Sequence, residues 1–176
     1  MNSAKQLKMT VYASLFAALT AAGAYMAIPL GPVPIVLQNL FIFLAGLLLG
    51  RRWGLTCVAI YLLAGILGLP VFAGGTGGIG RLIGPTGGYL VGYLPAVYVI
   101  GLISEKAPRR PFIQVTAMVC GTLLIYACGV SWLAHQAGMN PATALAAGMV
   151  PFLPGDALKI AAALPIAKAL RPIIHK

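Results

Sequence analysis

Acid is nearly absent from this sequence. Of 176 residues only two are acidic, Glu105 and Asp156, against 12 lysines and arginines. Charged residues of either sign make up 8% of the chain, where a soluble domain carries about 25%. That shortage excludes a water-facing globular surface, because a chain of this size cannot bury most of its residues. Cysteine is scarce too. Cys57, Cys120 and Cys128 are odd in number, sit inside apolar runs and lack metal-ligand spacing, so they read as small buried hydrophobes and not as a disulfide or metal framework. His135 and His175 stand alone. No nucleophile–base pair, metal cluster or phosphate-cradling ATPase loop is present, which leaves no catalytic residue, no metal site, and no ATP hydrolysis by this chain itself.

What the chain has in quantity is apolar residues. It is 60% hydrophobic, with a mean hydropathy of +0.96. This is the composition of an integral membrane protein. Apolar runs bounded by charge, Gly or Pro predict one domain of six transmembrane helices over residues 1–176, an all-α fold. The spans are Met9–Ile28, Ile35–Gly50, Trp53–Leu69, Thr86–Ser104, Phe112–His135 and Phe152–Leu170. Each is near the about 20 residues a bilayer requires, the second and third being short. Pro29, Pro32 and Pro34 break the chain after the first span, and Arg51 and Arg52 separate the second from the third.

Six spans put ten of the 12 basic residues on one side: Lys5, Lys8, Arg51, Arg52, Lys106, Arg109, Arg110, Lys168, Arg171 and Lys176. The positive-inside rule makes that side cytoplasmic, with both termini there. The net charge of +10 is therefore topological, and nucleic acid is excluded as a partner. The expected location is the bacterial cytoplasmic (inner) membrane, with membrane lipid around the bundle. A cleaved signal peptide is the alternative for the first span, since Lys5 and Lys8 precede an Ala-rich run. At about 20 residues that run exceeds the usual apolar core of a signal peptide, which favours a true span.

Topology accounts for all charges but three. Arg81 falls in the loop after span three, and Asp156 and Lys159 fall in the first turns of span six, all toward the outer side. At i and i+3 the pair shares a helix face. Ionisable groups at membrane depth mark functional sites or structural pairs; a helix cap with a paired or snorkelling lysine is the plain alternative. Arg81 adds a cation, and a net positive pocket selects an anion. The loop itself, Gly75-Thr76-Gly77-Gly78-Ile79-Gly80, is formally G-x-G-x-x-G. No helix or acid follows at the spacing a dinucleotide site requires, so that reading fails. Two readings remain: a flexible outer loop with a close-packing helix start, or an apolar loop that folds back against the bundle as a lid. Tyr89 and Tyr93, one turn apart below it, and Gln38 and Asn39 in span two are candidate ligand contacts. Packing, or helix–helix hydrogen bonding, is the alternative for each.

The segments GPVPIVLQNLFIFLAGLLLG, YLLAGILGLPVFAGG, GRLIGPTGGYLVGY and PFLPGDALKI strongly resemble the BioY family. Members are the biotin-specific substrate-binding (S) subunits of energy-coupling-factor (ECF) vitamin transporters. The resemblance runs from about Met9 to Leu170. It implies the six-helix S-component bundle with an outer lid, and biotin as transported ligand with no cofactor. Arg81, Asp156 and Lys159 are the implied polar contacts, with Gln38 weaker. The position after Gln38 is often Thr in the family and is Asn39 here. The implied partners are a transmembrane coupling protein and two cytoplasmic ATPases. Small alanines on span one are the implied docking face, here Ala13, Ala17 and Ala21, with Ala18 and Ala22 forming a second i+4 pair. A secondary transporter of a small carboxylate vitamin, with Asp156 as its proton site, is the alternative function.

Overall fold

A computed structural model describes residues 3–28, 33–107 and 110–174. Pro29, Pro32, Arg109, His175 and Lys176, each named above, lie outside the described residues. The chain runs α1 (Ser3–Tyr25), a two-stranded ribbon of β1 (Ala27–Ile28) and β2 (Ile35–Val36), α2 (Gln38–Ile66), α3 (Gly80–Ile83) and α4 (Gly87–Lys106). After these come α5 (Pro111–Ala137), α6 (Pro141–Gly148), a 3-10 turn (Val150–Phe152) and α7 (Leu153–Ile174). Among the described residues four helices, α1, α2, α4 and α5, are long and apolar enough to cross a membrane.

The predicted second and third spans follow one another without a loop, as α2, but they are not one straight helix. Gly50 has φ 77° and ψ −178°, outside the helical region and open only to glycine at small cost. In a straight helix Ala45 and Gly54 would stand about 13 Å apart. Instead a methyl placed on Gly54 would lie 3.5 Å from the Ala45 carbonyl oxygen. The chain therefore doubles back at Gly50, and α2 is a helical hairpin whose tip carries Arg51 and Arg52. Its two arms, with α1, α4, α5 and α7, make six long helical segments around one core.

The break at Gly50 disturbs the hydrogen-bond ladder, and other groups repair it. The Arg51 amide, which would reach back to Leu47 in a continuous helix, donates to Glu105 Oε1 at 2.9 Å. The Leu47 carbonyl accepts from Arg171 at 3.5 Å. Glu105 also pairs with the Arg51 side chain at 3.4 Å, so the acid assigned to topology pins the hairpin tip to the end of α4.

The core joins α2, α4 and α5, with Phe43, Tyr61, Val97, Ile100 and Met118 fully buried. Leu7, Val11, Leu63, Leu123 and Leu158 point outward and are exposed. An apolar exterior over an apolar core suits hydrocarbon and not water. Buried hydroxyls inside helices are handled locally: Thr20 and Thr122 donate to the carbonyls of Phe16 and Met118 at 2.7 and 2.9 Å. Four elements lie outside the sequence reading: the short ribbon, α6, the 3-10 turn, and α3, a single turn directly after the glycine loop where no helix was expected. The α6 start is a recognisable cap, with Asn140 Oδ1 accepting from the Thr143 amide at 2.8 Å and Pro141 at the first helical position.

The glycine-rich segment folds back onto the bundle. Phe72 is 1% exposed and stacks edge-on against Tyr61 with ring centroids 5.5 Å apart. Backbone bonds from Gly74 to the Ala24 carbonyl (3.2 Å) and from Gly78 to the Gly65 carbonyl (2.7 Å) tie the segment to α1 and α2. Trp132 of α5 donates to the Gly84 carbonyl at 2.9 Å. The result is a lid with an aromatic anchor, carrying the single turn α3.

Candidate functional site

Under that lid a cavity of about 60 Å³ opens, on a scale where one water requires about 10–15 Å³. Its lining brings together all seven candidate ligand residues: Gln38 and Asn39 from the start of α2, Arg81 from α3, Tyr89 and Tyr93 from α4, and Asp156 and Lys159 from α7. Apolar walls come from Val36, Phe72, Leu90, Ile125 and Phe152. The mixture is that of a small-molecule pocket, apolar with a few convergent polar groups.

Asp156 is the hub. It lies in the first turn of α7, where the helix dipole favours an acid, and it is 3% exposed. The helix begins at Leu153, so Asp156 is inside it and does not cap it. Its carboxylate serves other elements. Lys159 Nζ donates to Oδ1 at 2.8 Å, Tyr126 OH donates to Oδ2 at 2.5 Å, and Asn39 Nδ2 donates to Oδ1 at 3.4 Å. Tyr93 OH in turn donates to Asn39 Oδ1 at 3.0 Å. One buried carboxylate thus joins α2, α4, α5 and α7. Charge-assisted bonds of this kind are the strong ones.

The other polar groups differ in how far they are committed. Tyr89 OH donates to the Gly148 carbonyl at 2.8 Å, which spends its hydroxyl on fixing the end of α6. Gln38 is 2% exposed and lies beside the Tyr61 hydroxyl. Neither Gln38 Nε2 nor Tyr61 OH completes a hydrogen bond. Buried donors are normally satisfied, so an unpaired amide on a cavity wall is a donor held ready. Among the described residues Asp156 forms its ion pair with Lys159. Arg81 lines the same cavity from the exposed face of the lid. The pair cancels, and Arg81 leaves the site with one surplus positive charge.

Sequence reasoning missed Tyr126 and the bridging role of Asn39. The signal for Tyr126 is a hydroxyl alone in the apolar run LLIYACGV, which must find a partner once buried. The alanines of α1 are elsewhere. Ala13 and Ala17 are 0% and 5% exposed, covered by the chain's own packing, and Ala21 is half-buried. The small residues that face outward on α1 are Ser14, Ala18 and Ala22.

Comparison with known proteins gives a consistent result. The BioY family model matches residues 1–176. The biotin transporter BioY of Thermotoga maritima is 41% identical over 167 residues, covering 95% of this chain and 98% of that one. The probable biotin transporter BioY of Pyrococcus horikoshii is 42% identical over 158 residues, covering 90% and 93%. A crystal structure at 2.1 Å of the S-component for biotin from an ECF-type ABC transporter superposes with a TM-score of 0.91 at 32% identity, covering 98% of this chain and 95% of that chain. A pocket under a pinned lid, on a six-segment bundle of that shape, therefore has its place: the chain belongs to the BioY family, which is a family of transporters and not of enzymes.

Proposed function

We propose that the cavity under the lid binds biotin, and that the chain is the substrate-specific subunit through which an ECF-type transporter takes up the vitamin. The observation that carries this reading is the Asp156 network, which closes on the cavity and on the surplus charge of Arg81. Biotin offers a carboxylate, a neutral ureido ring with N–H donors and a carbonyl, and an apolar ring and chain. Asp156 already receives three bonds, against about four lone-pair positions on a carboxylate. One position remains for a ureido N–H. Gln38 Nε2 and Lys159 supply donors for an oxygen, Arg81 supplies the cation for the carboxylate, and Val36, Leu90 and Ile125 cover the apolar parts. Tyr89 contributes its ring.

The same reading places the lid toward the outside, and the Arg51 turn and both termini on the cytoplasmic side, from the charge distribution. It gives the chain a transmembrane coupling protein and two cytoplasmic ATPases as partners. Ser14, Ala18 and Ala22 are the small surface on α1 that lets a foreign helix approach closely. Docking through Ala13 and Ala17 would require α1 to leave its own bundle.

The test is calorimetric titration of the detergent-purified chain with biotin, beside Arg81→Ala. Arg81 is exposed, so its removal should leave thermal unfolding unchanged while weakening biotin by about 1 kcal/mol, an effect that shrinks as salt is raised. Wild-type affinity in Arg81→Ala would remove the lid cation from the site. Absence of binding by the wild type would remove biotin.

A further inference from the structure

The bundle has a second cavity, at the end away from the lid, where no ligand residue was expected. It measures about 990 Å³, far larger than the first. It lies between the hairpin tip of α2, the end of α4, the start of α5 and the second half of α7. Its lining is one-sided in charge. Lys168 and Arg171 contribute to it, and the single acid there, Glu105, is engaged by Arg51 through both side chain and amide.

The polar groups on the walls are suited to an anion. Ser104 is 2% exposed, and its hydroxyl makes no hydrogen bond, although serine in a helix ordinarily bonds back to its own ladder. The 27-residue helix α5 opens onto the cavity through Pro111 and the buried Gln114. Its first turn holds no acid, and Arg110 before it gives no side-chain cap. Pro111 has no N–H and the Gln114 amide donates to the Arg110 carbonyl at 3.2 Å, so that turn offers the amides of Phe112 and Ile113 and the positive end of the helix dipole to negative charge. The remaining wall is apolar: Leu47, Leu164 and Pro165. An anion-seeking rim over an apolar wall, at the basic end of a membrane bundle, complements one class of molecule, since anionic lipids gather where basic residues meet the membrane.

We propose that this cavity holds an anionic membrane phospholipid, its phosphate taken by Lys168, the Ser104 hydroxyl and the start of α5, and an acyl chain laid against Leu47, Leu164 and Pro165. Arg171 keeps its contact with the Leu47 carbonyl and adds positive charge. The lipid would fill the gap that the Gly50 hairpin leaves between α2 and α7, and so brace that end of the bundle.

The experiment is native mass spectrometry of the full chain, stripped of lipid in a neutral detergent. It is titrated with phosphatidylglycerol, with phosphatidylcholine of the same acyl chains, and with inorganic phosphate. Preferential retention of phosphatidylglycerol is expected. Lys168→Gln should weaken it by about tenfold and Ser104→Ala by about threefold. Lys106→Gln, an exposed cation at the same end that does not line the cavity, should leave it unchanged, and thermal unfolding of all three variants confirms that they are folded. Equal retention of the two lipids overturns the proposal. So does an equal loss in Lys106→Gln, which would assign the preference to general surface charge. Inorganic phosphate binding as tightly as phosphatidylglycerol would leave an anion site without a lipid and also overturn it.

Discussion

The two ends of this bundle solve the problem of polar groups in hydrocarbon in opposite ways. At the lid end the charged and polar side chains gather on one acid, with Gln38 Nε2 and the Tyr61 hydroxyl left outside that network. Asp156 receives Lys159, Tyr126 and Asn39, and the space left is about 60 Å³. At the basic end the space is about 990 Å³, and the buried hydroxyl of Ser104 is unpaired. On the proposed reading the lid end is a preorganised site, with its polar groups set before a ligand arrives. The basic end is an open gap with donors on its rim. The same helices, α2, α4, α5 and α7, build both. What differs is the presence of a buried acid to receive the donors, and the chain has only two acids to place.

The sharpest way to break this comparison is to remove the acid. Asp156→Asn leaves Lys159, 8% exposed, as a buried cation without its counter-charge. Loss of one partner of a buried pair costs about 3–5 kcal/mol, so thermal unfolding should move down sharply. If it does not move, the pair is not buried against lipid and protein as described. Tyr126→Phe removes one charge-assisted donor and keeps the ring. It should lower stability by about 1.5–3 kcal/mol, read by the same measurement, and an unchanged midpoint would detach α5 from the network.

Gly50→Ala acts at the other end. It places a side chain where φ is 77° and where a methyl would meet Glu105 Oε1 at 2.5 Å. A loss of about 1–3 kcal/mol follows from the strain, with biotin titration little changed because the lid end is not touched. Weakened biotin binding would show that the two ends are coupled through α2. The smallest effect belongs to Ser104→Ala. Removal of an unpaired buried hydroxyl should be neutral or stabilising by under about 1 kcal/mol in lipid-free detergent. Set beside Tyr126→Phe, it is the cleanest contrast of the two ends: one buried hydroxyl that is used and one that is held open. A destabilising Ser104→Ala would mean that the hydroxyl is already satisfied.

Much of this was legible in the sequence because charge is so rare that each charged residue carries information. Arg51 and Arg52 mark a turn that the structure realises as the Gly50 hairpin, and the i, i+3 spacing of Asp156 and Lys159 gives their ion pair directly. The lid is one of two readings that the apolar glycine loop allows, and the contacts of Phe72 and Gly78 decide for it. Other features depend on contacts across the bundle, which spacing does not encode. Tyr126 lies 30 residues before Asp156 and meets it only because α5 and α7 pack together. Asn39 bridges Tyr93 and Asp156 from a third helix. On α1, alanine occurs on every face, so composition could not separate Ala13 and Ala17, which are buried, from Ala18 and Ala22, which face out. Helix α6 was hidden because PATALAAG has the small and breaking residues of a loop, and its signal was the Asn140–Pro141 start.

The most direct test of the account uses the double variant Asp156→Asn/Lys159→Met. Replacing both charges together with groups of similar size leaves no unpaired ion, and such replacements are often tolerated. The variant should therefore unfold near the wild-type temperature. Calorimetric titration with biotin then isolates what the charges do for the ligand. The account predicts that affinity falls by at least about tenfold in this stable protein, because the hydrogen-bonding hub of the site is gone. Wild-type affinity in the stable double variant would contradict it and make the pair a structural tie between helices.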